Sequence, residues 1–170
     1  NQASATFAIS AVDDALLDGT QAVSLSGTAT GYVGGSANVD VTDYETLTVT
    51  ISPTSISENG GTATGTVTRS NTNNSQALVV TLSSNDPSEA TVPATVTIPA
   101  NQASATFAIT AVDDALLDGT QTVTIGGTAT GYVGGSANVN VTDYETLTVT
   151  IDVGSMSERG GTATGTVTRG

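Results

Sequence analysis

TLTVTISPTSISENGGTATGTVTR, residues 46–69, holds two runs in which apolar and polar positions alternate. Over about 46–51 Leu47, Val49 and Ile51 are separated by threonines, and after a break the pattern resumes over about 61–69 with Ala63, Gly65 and Val67. A period of two places the apolar side chains on one face of a strand and the threonines on the other. β-Branched residues at this density favour an extended backbone over a helix. Two such strands joined by a Gly-rich turn have one apolar face each, and that face needs a second sheet to cover it.

Outward from this pair the same alternation predicts five more strands. The first spans about 77–83, with Leu78, Val80 and Leu82 inward, and the next about 90–98, with Val92, Val96 and Ile98 inward. Pro93 marks the latter as an edge or a bulge, because proline donates nothing to a ladder. Three further strands follow over about 103–111 (Ala105, Phe107, Ile109), 120–126 (Val123, Ile125) and 136–142 (Ala137, Val139, Val141). Gly, Asn, Asp and Ser mark most of the breaks, and no segment has a helical period. Seven short strands within about 100 residues read as an all-β fold, an immunoglobulin-like sandwich.

The chain repeats itself. Residues 1–51 and 101–151 both open NQASATFAI and close TDYETLTVTI, differing at six positions; 52–70 and 152–170 differ at six more. A period of 100 residues is that of a complete small domain rather than of a solenoid unit. The expected organisation is therefore tandem seven-stranded sandwiches. Residues 46–145 form one whole domain, 1–45 the last three strands of the domain before it, and 146–170 the first two of the next. Half a sandwich exposes its core, so the polypeptide is expected to continue in both directions.

Composition narrows the function. The 170 residues carry 16 Asp and Glu against three Arg, with no Lys, His or Cys, for a net charge of −13. That charge repels a phosphate backbone, so no nucleic-acid partner is expected. No apolar run approaches the ~18 residues of a membrane span. Neither disulfides nor Lys–Asn cross-links are available as staples, which leaves metal. Without His or Cys most nucleophile and general-base arrangements cannot be assembled, and a carboxylate pair at a domain end offers neither cleft nor aromatic platform for a sugar. The chain is not expected to be an enzyme. TGYVGGS lacks the lysine of a phosphate loop and precedes a strand, so it reads as a hairpin loop.

Strand parity places the acids. If successive turns alternate between the two ends of the sandwich, Glu58, Asp86, Glu89, Asp113, Asp114, Asp118, Asp143 and Glu145 all fall at one end. The segments at the other end, SNTNNS, PANQA and GTATGYVGGSAN, contain none. Solvated loop acids would keep a surface protein soluble. Eight at one end and none at the other instead suggest a neutralising cation. Oxygen-only donors suit Ca²⁺, which accepts about 6–8 of them in flexible geometry; Zn²⁺ would want His or Cys, and Mg²⁺ stricter geometry. The cluster also lies where the next period begins, so an ion there would stiffen the junction. Tyr44 and Tyr144 are expected to pack against the next domain.

SENGGTATGTVTR, ATVTIPANQASATFAITAV, VDDALLDGTQTVTI and VNVTDYE together resemble the Calx-beta family, found in sodium/calcium exchangers, an integrin subunit and large bacterial surface proteins. The resemblance spans the full period and both partial copies. It implies a seven-stranded sandwich with Ca²⁺ at the acidic end and, by position, Glu58, Asp86, Asp113, Asp114, Asp118 and Asp143 as ligands. Glu145, and the copies Asp13, Asp14, Asp18, Asp43, Glu45 and Glu158, are candidates for the same role. Ala115 stands where a third acid is frequent, Gly119, Thr120 and Gln121 stand where more often follow, and SSNDPSEA lacks the usual Asp-Tyr pair. Fewer ions per junction are therefore expected than in the best-endowed members.

The expected function is that of a structural repeat in an extracellular stalk, fibre or matrix strand at a cell surface, serving adhesion or cohesion. Its partners would be neighbouring repeats of the same chain and, through lateral self-assembly, other copies. A glycan- or protein-binding adhesin module and a calcium sensor are the alternatives. The loop GTATGYVGGSAN is identical in both copies, which favours a spacer over a recognition surface.

Overall fold

The computed structural model describes residues 3–170; Asn1 and Gln2, the start of the expected unit 1–45, lie outside the described residues. Every regular element among the described residues is a strand. In chain order these are β1 (Gln21–Gly27), β2 (Gly35–Val41), β3 (Glu45–Ser52), β4 (Ser55–Ser57), β5 (Thr62–Arg69), β6 (Leu78–Ser84) and β7 (Ala90–Thr91). There follow β8 (Thr95–Ile98), β9 (Ser104–Ala111), β10 (Gln121–Thr128), β11 (Tyr132–Val133), β12 (Gly135–Thr142), β13 (Leu147–Ile151) and β14 (Gly165–Arg169).

Two five-stranded sheets, ordered β11-β3-β5-β9-β7 and β4-β12-β10-β6-β8, pack face to face over residues 45–142. Leu47, Val49 and Val67 of the first sheet and Val80, Val123 and Val139 of the second lie in one buried core. The threonines between them face outward, as a two-residue period requires. Phe107 sits opposite Gly65 in the ladder. Its ring occupies the room of the missing side chain, since a Cβ on Gly65 would lie 2.3 Å from the ring.

Ten strands, β3 to β12, stand where seven were expected. One of the predicted strands is split between the sheets. The segment over 90–98 gives β7, which pairs with β9 in the first sheet, and β8, which pairs with β6 in the second. Val92, Pro93 and Ala94 make the crossing, where a residue without an N–H costs no ladder bond. A second addition lies in the expected loop between the first two strands, where the chain leaves β3 at Ser52–Pro53 and enters the opposite sheet as β4, parallel to β12. The third addition is the two-residue β11, beside β3.

Arg69 organises the end of the sandwich opposite Glu58, where β3 begins at Glu45. Its guanidinium is buried and donates to the carbonyls of Asn74, Gln76, Pro99 and Gln102 at 2.7–3.3 Å, tying loop 70–77 to loop 99–103. The planar five-donor fork suits this task; a lysine has neither the reach nor the geometry.

The flanking sequence copies form separate two-stranded sheets, β1–β2 and β13–β14. Their registers match those of β10–β12 and β3–β5 residue for residue: Gln21 faces Val41 as Gln121 faces Val141, and Leu147 faces Arg169 as Leu47 faces Arg69. Residues 4–11, whose copy is β9, form no strand. The difference is the neighbour, because β9 lies between β5 and β7 and residues 4–11 have no such partners. Correspondingly Phe7 is 76% exposed and Phe107 only 6%.

Candidate functional site

Glu58, Asp86, Glu89, Asp114 and Asp143 gather at the end opposite Arg69, each held there by a local device, with Asp113 and Asp118 beside them. Glu58 begins the turn that leaves β4. Its N–H donates to Thr142 O at 3.1 Å, fixing the turn to the end of β12, and Gly61 N–H closes it on Ser57 O at 2.8 Å. Gly60 has φ of +70°, and a Cβ on Gly61 would lie 2.3 Å from Ser57 O. The two glycines of ENGG thus allow a turn tight enough to leave Glu58 only 1% exposed.

Between β6 and β7, Asp86 caps its own turn: one carboxylate oxygen accepts the N–H and the hydroxyl of Ser88. The N–H of Ala90 returns to Asp86 O at 3.1 Å, and Val112 N–H donates to Glu89 O at 2.8 Å. These bonds draw Glu89 inward against the end of β9, where it is buried.

Loop 112–120 brings three more carboxylates. Asp114 Oδ1 accepts the N–H of Leu116 at 2.7 Å, and Asp143, just past β12, accepts the N–H of Gly119 at 2.7 Å through Oδ2. Asp113 and Asp118 are exposed on the same loop.

The charges of these groups meet. Burial is the main cause that raises the Glu89 carboxyl to about 7, and Asp118, Glu58, Asp114 and Asp86 add to it. Glu58 is pushed upward by its own burial, with Asp143, Asp114 and Asp113 acting in the same direction and the Tyr144 backbone N–H opposing them. Seven of the eight acids in the period therefore share one electrostatic field. Glu58 Oε2, Glu89 Oε2, Asp143 Oδ1 and Glu145 Oε1 are buried without a hydrogen-bond partner. Desolvated carboxylate oxygens with nothing to accept from are costly, and a hard cation is the partner that suits an all-oxygen set. Among the described residues no three carboxylates stand close enough to hold one ion as the loops lie.

The flanking candidates are placed less uniformly. Asp13, Asp14, Asp18, Asp43 and Glu45 line one open cleft in the first copy. Two of its loop bonds repeat those of the second copy: Leu16 N–H to Asp14 Oδ1 at 2.9 Å and Gly19 N–H to Asp43 Oδ2 at 2.6 Å. Glu45 differs from the others, because it is buried at the start of β3 and its Oε2 accepts the hydroxyl of Ser70. Its copy Glu145 has Gly170 in that place and no hydroxyl to accept from, which accounts for its unpaired oxygen. Glu158 is exposed.

Glu89 is the functional candidate that the sequence reading counted among the acids but did not select. No sequence signal singles it out, because its burial follows from the turn bonds of Ala90 N–H to Asp86 O and Val112 N–H to Glu89 O. Tyr44, expected to pack across the junction, is 65% exposed. The contact there is made by residues 15–17, described below.

No family model matches the chain, and no curated protein matches it. Among solved structures the chain is similar to one titled "Crystal structure of Apo-form Calx CBD1 domain", with 17% identity and a TM-score of 0.44, over 58% of this chain and 98% of that one. At that identity and score the likeness carries no argument about function.

Proposed function

We propose that this chain is a stretch of a tandem array of Calx-beta-like sandwiches, seven-stranded when β3 and β4, β7 and β8, and β11 and β12 are each counted as one, that builds an extracellular stalk, fibre or matrix strand. Ca²⁺ held among Glu58, Glu89, Asp143, Asp114, Asp113, Asp118 and Asp86 neutralises the acidic end of each repeat and rigidifies the junction with the next. The array has no catalytic role; it gives reach and cohesion at a cell surface. The observation that carries this reading is the set of buried, unpartnered oxygens on Glu58, Glu89 and Asp143 at one end of the sandwich. A polar group is not buried unsatisfied without cost, and here the missing partner has the chemistry of a divalent cation. The bare apolar faces of the flanking hairpins, with Phe7 and Val149 exposed where Phe107 and Val49 are core, support the view that each belongs to a further sandwich.

A recognition module would use the loops at the other end, away from the acids. Loop 71–74 is already engaged by residues 15–17 of the same chain, which favours the spacer.

Small-angle scattering on chains lengthened by whole 100-residue periods tests the proposal. In Ca²⁺ the maximum dimension should grow by a constant step per period, and in EDTA the step should shrink as the junctions loosen. Compact or bent particles that scatter identically in both conditions would contradict it.

A further inference from the structure

The first and second sequence copies meet at a small, well-defined joint. Leu17 N–H donates to Asn73 Oδ1 at 2.9 Å, and Asn73 Nδ2 donates back to Leu17 O at 2.9 Å, so one carboxamide satisfies both backbone groups of one residue as a neighbouring strand would. One residue pair over, Thr72 donates to Ala15 O through both its N–H (2.7 Å) and its hydroxyl (3.0 Å). The Leu17 side chain lies over Gly131, where an added Cβ would come within 3.3 Å of it. Behind the joint, Asn71 holds Asn73 in place: its Nδ2 donates to Asn73 Oδ1 at 2.8 Å, while the Tyr132 hydroxyl donates to Asn71 Oδ1 at 2.7 Å. Asn71 is buried, so the receiving loop is prepared rather than loose.

The identical donor loop occurs again at 114–117, with the same Asp114–Leu116 bond, and none of the described residues covers it as loop 71–74 covers the first. Leu117 is 80% exposed, whereas Leu17 in the filled joint is partly buried; Leu116 is 61% exposed against 43% for Leu16. Conversely Gly31, the copy of Gly131, has open space around it. Residues 46–145 thus carry a plug at the acidic end and a socket at the opposite end; among the described residues the socket loop occurs once and is filled, while the second plug is uncovered.

We propose that the Leu116–Leu117 loop is a docking surface for the opposite end of a following repeat that bears the Asn71–Asn73 loop and a glycine at the position of Gly131. This rests on the array reading but not on calcium, since no carboxylate takes part in the four bonds of the joint. The plug loop is also the loop that carries Asp113, Asp114 and Asp118, so whatever orders the acids orders the leucines. Junction stiffness then depends on a polar clamp that exists before any ion binds.

Amide hydrogen exchange followed by NMR, in EDTA throughout, tests this. In the 170-residue chain the Leu17 amide is expected to exchange at least about tenfold more slowly than that of Leu117. In a chain lengthened by appending residues 71–170 after Gly170, Leu117 should slow to match Leu17. Asn73→Ala made in the added copy alone should return Leu117 to its fast rate while amides such as Val67 and Val123 stay protected. An unchanged Leu117 rate in the lengthened chain, with the added strands protected, would overturn the proposal. So would protection of Leu117 in the 170-residue chain that grows with protein concentration, because the occupant would then be a second molecule. Neither result bears on whether the acids bind calcium.

Discussion

One carboxylate oxygen of Asp143 accepts the backbone N–H of Gly119 at 2.7 Å, while its other oxygen is buried with no partner. The first contact ties loop 112–120 to the end of β12, and the second leaves an acceptor for an ion. Substitutions separate the two roles. Asp143→Asn keeps an acceptor for Gly119 and is expected to leave the melting temperature in EDTA within about 2 °C while abolishing most of the response to Ca²⁺. Asp143→Ala removes the bond as well and should cost about 1–2 kcal/mol even in EDTA, measured by urea unfolding.

Glu89 makes metal-free stability depend on pH in an unusual direction. Its carboxyl is raised from 4.5 to about 7 in the folded protein, so between those values the folded state holds a proton that the unfolded state has lost. Unfolding releases it, and stability therefore falls as pH rises from about 4.5 to about 7, with Glu58 contributing in the same direction. In EDTA the melting temperature should be higher at pH 5 than at pH 7.5, and Glu89→Gln should flatten that slope. A melting temperature that rises over the same interval would show that Glu89 is ionised and solvated.

Gly65 and Phe107 are a matched pair across the ladder. Gly65→Ala places a Cβ against the ring and is expected to cost about 1–3 kcal/mol as the core is overpacked. Gly165→Ala is the internal control, since the nearest atom to its added Cβ is Thr150 O at 4.0 Å; it should change stability by less than about 0.5 kcal/mol.

The buried guanidinium of Arg69 is shared among four carbonyls from two loops. Arg69→Ala leaves them without a donor and should lower stability by more than about 3 kcal/mol, while Arg169→Ala on the exposed β14 should lower it by less than about 0.5 kcal/mol. Equal effects would mean that the hub is not what holds loops 70–77 and 99–103 together.

The strands were legible in the sequence because a two-residue period with threonine outside and valine or isoleucine inside has one reading. Their division between sheets was not. Pro93 signalled an irregularity, but whether a proline sits on an edge or carries the chain across depends on where β6 and β9 lie, and that is a long-range fact. Residues 4–11 and 104–111 differ only at Ser10 and Thr110, yet only the second stretch is a strand, since pairing rather than propensity decides. Strand parity alone grouped Glu58, Asp86, Glu89, Asp113, Asp114, Asp118 and Asp143, whose charges meet in the structure. The distinction between Glu45, satisfied by Ser70, and Glu58, buried without a partner, was not, because it depends on side-chain contacts. The joint between Leu17 and Asn73 was equally hidden. The two residues are 56 positions apart, and a leucine in an acidic loop reads as incidental until its neighbour is seen.

The central claim is that the buried acids at one end await a divalent cation, and thermal unfolding of this chain in EDTA, in Mg²⁺ and in Ca²⁺ tests it most directly. A ligand that binds only the folded state raises the melting temperature by mass action. The account predicts a rise of at least about 5 °C in millimolar Ca²⁺, a smaller one in Mg²⁺, and loss of the calcium response when Asp113→Asn and Asp114→Asn are combined. Identical melts in all three conditions would contradict it, and the acids would then be a solvated rim that no ion stiffens.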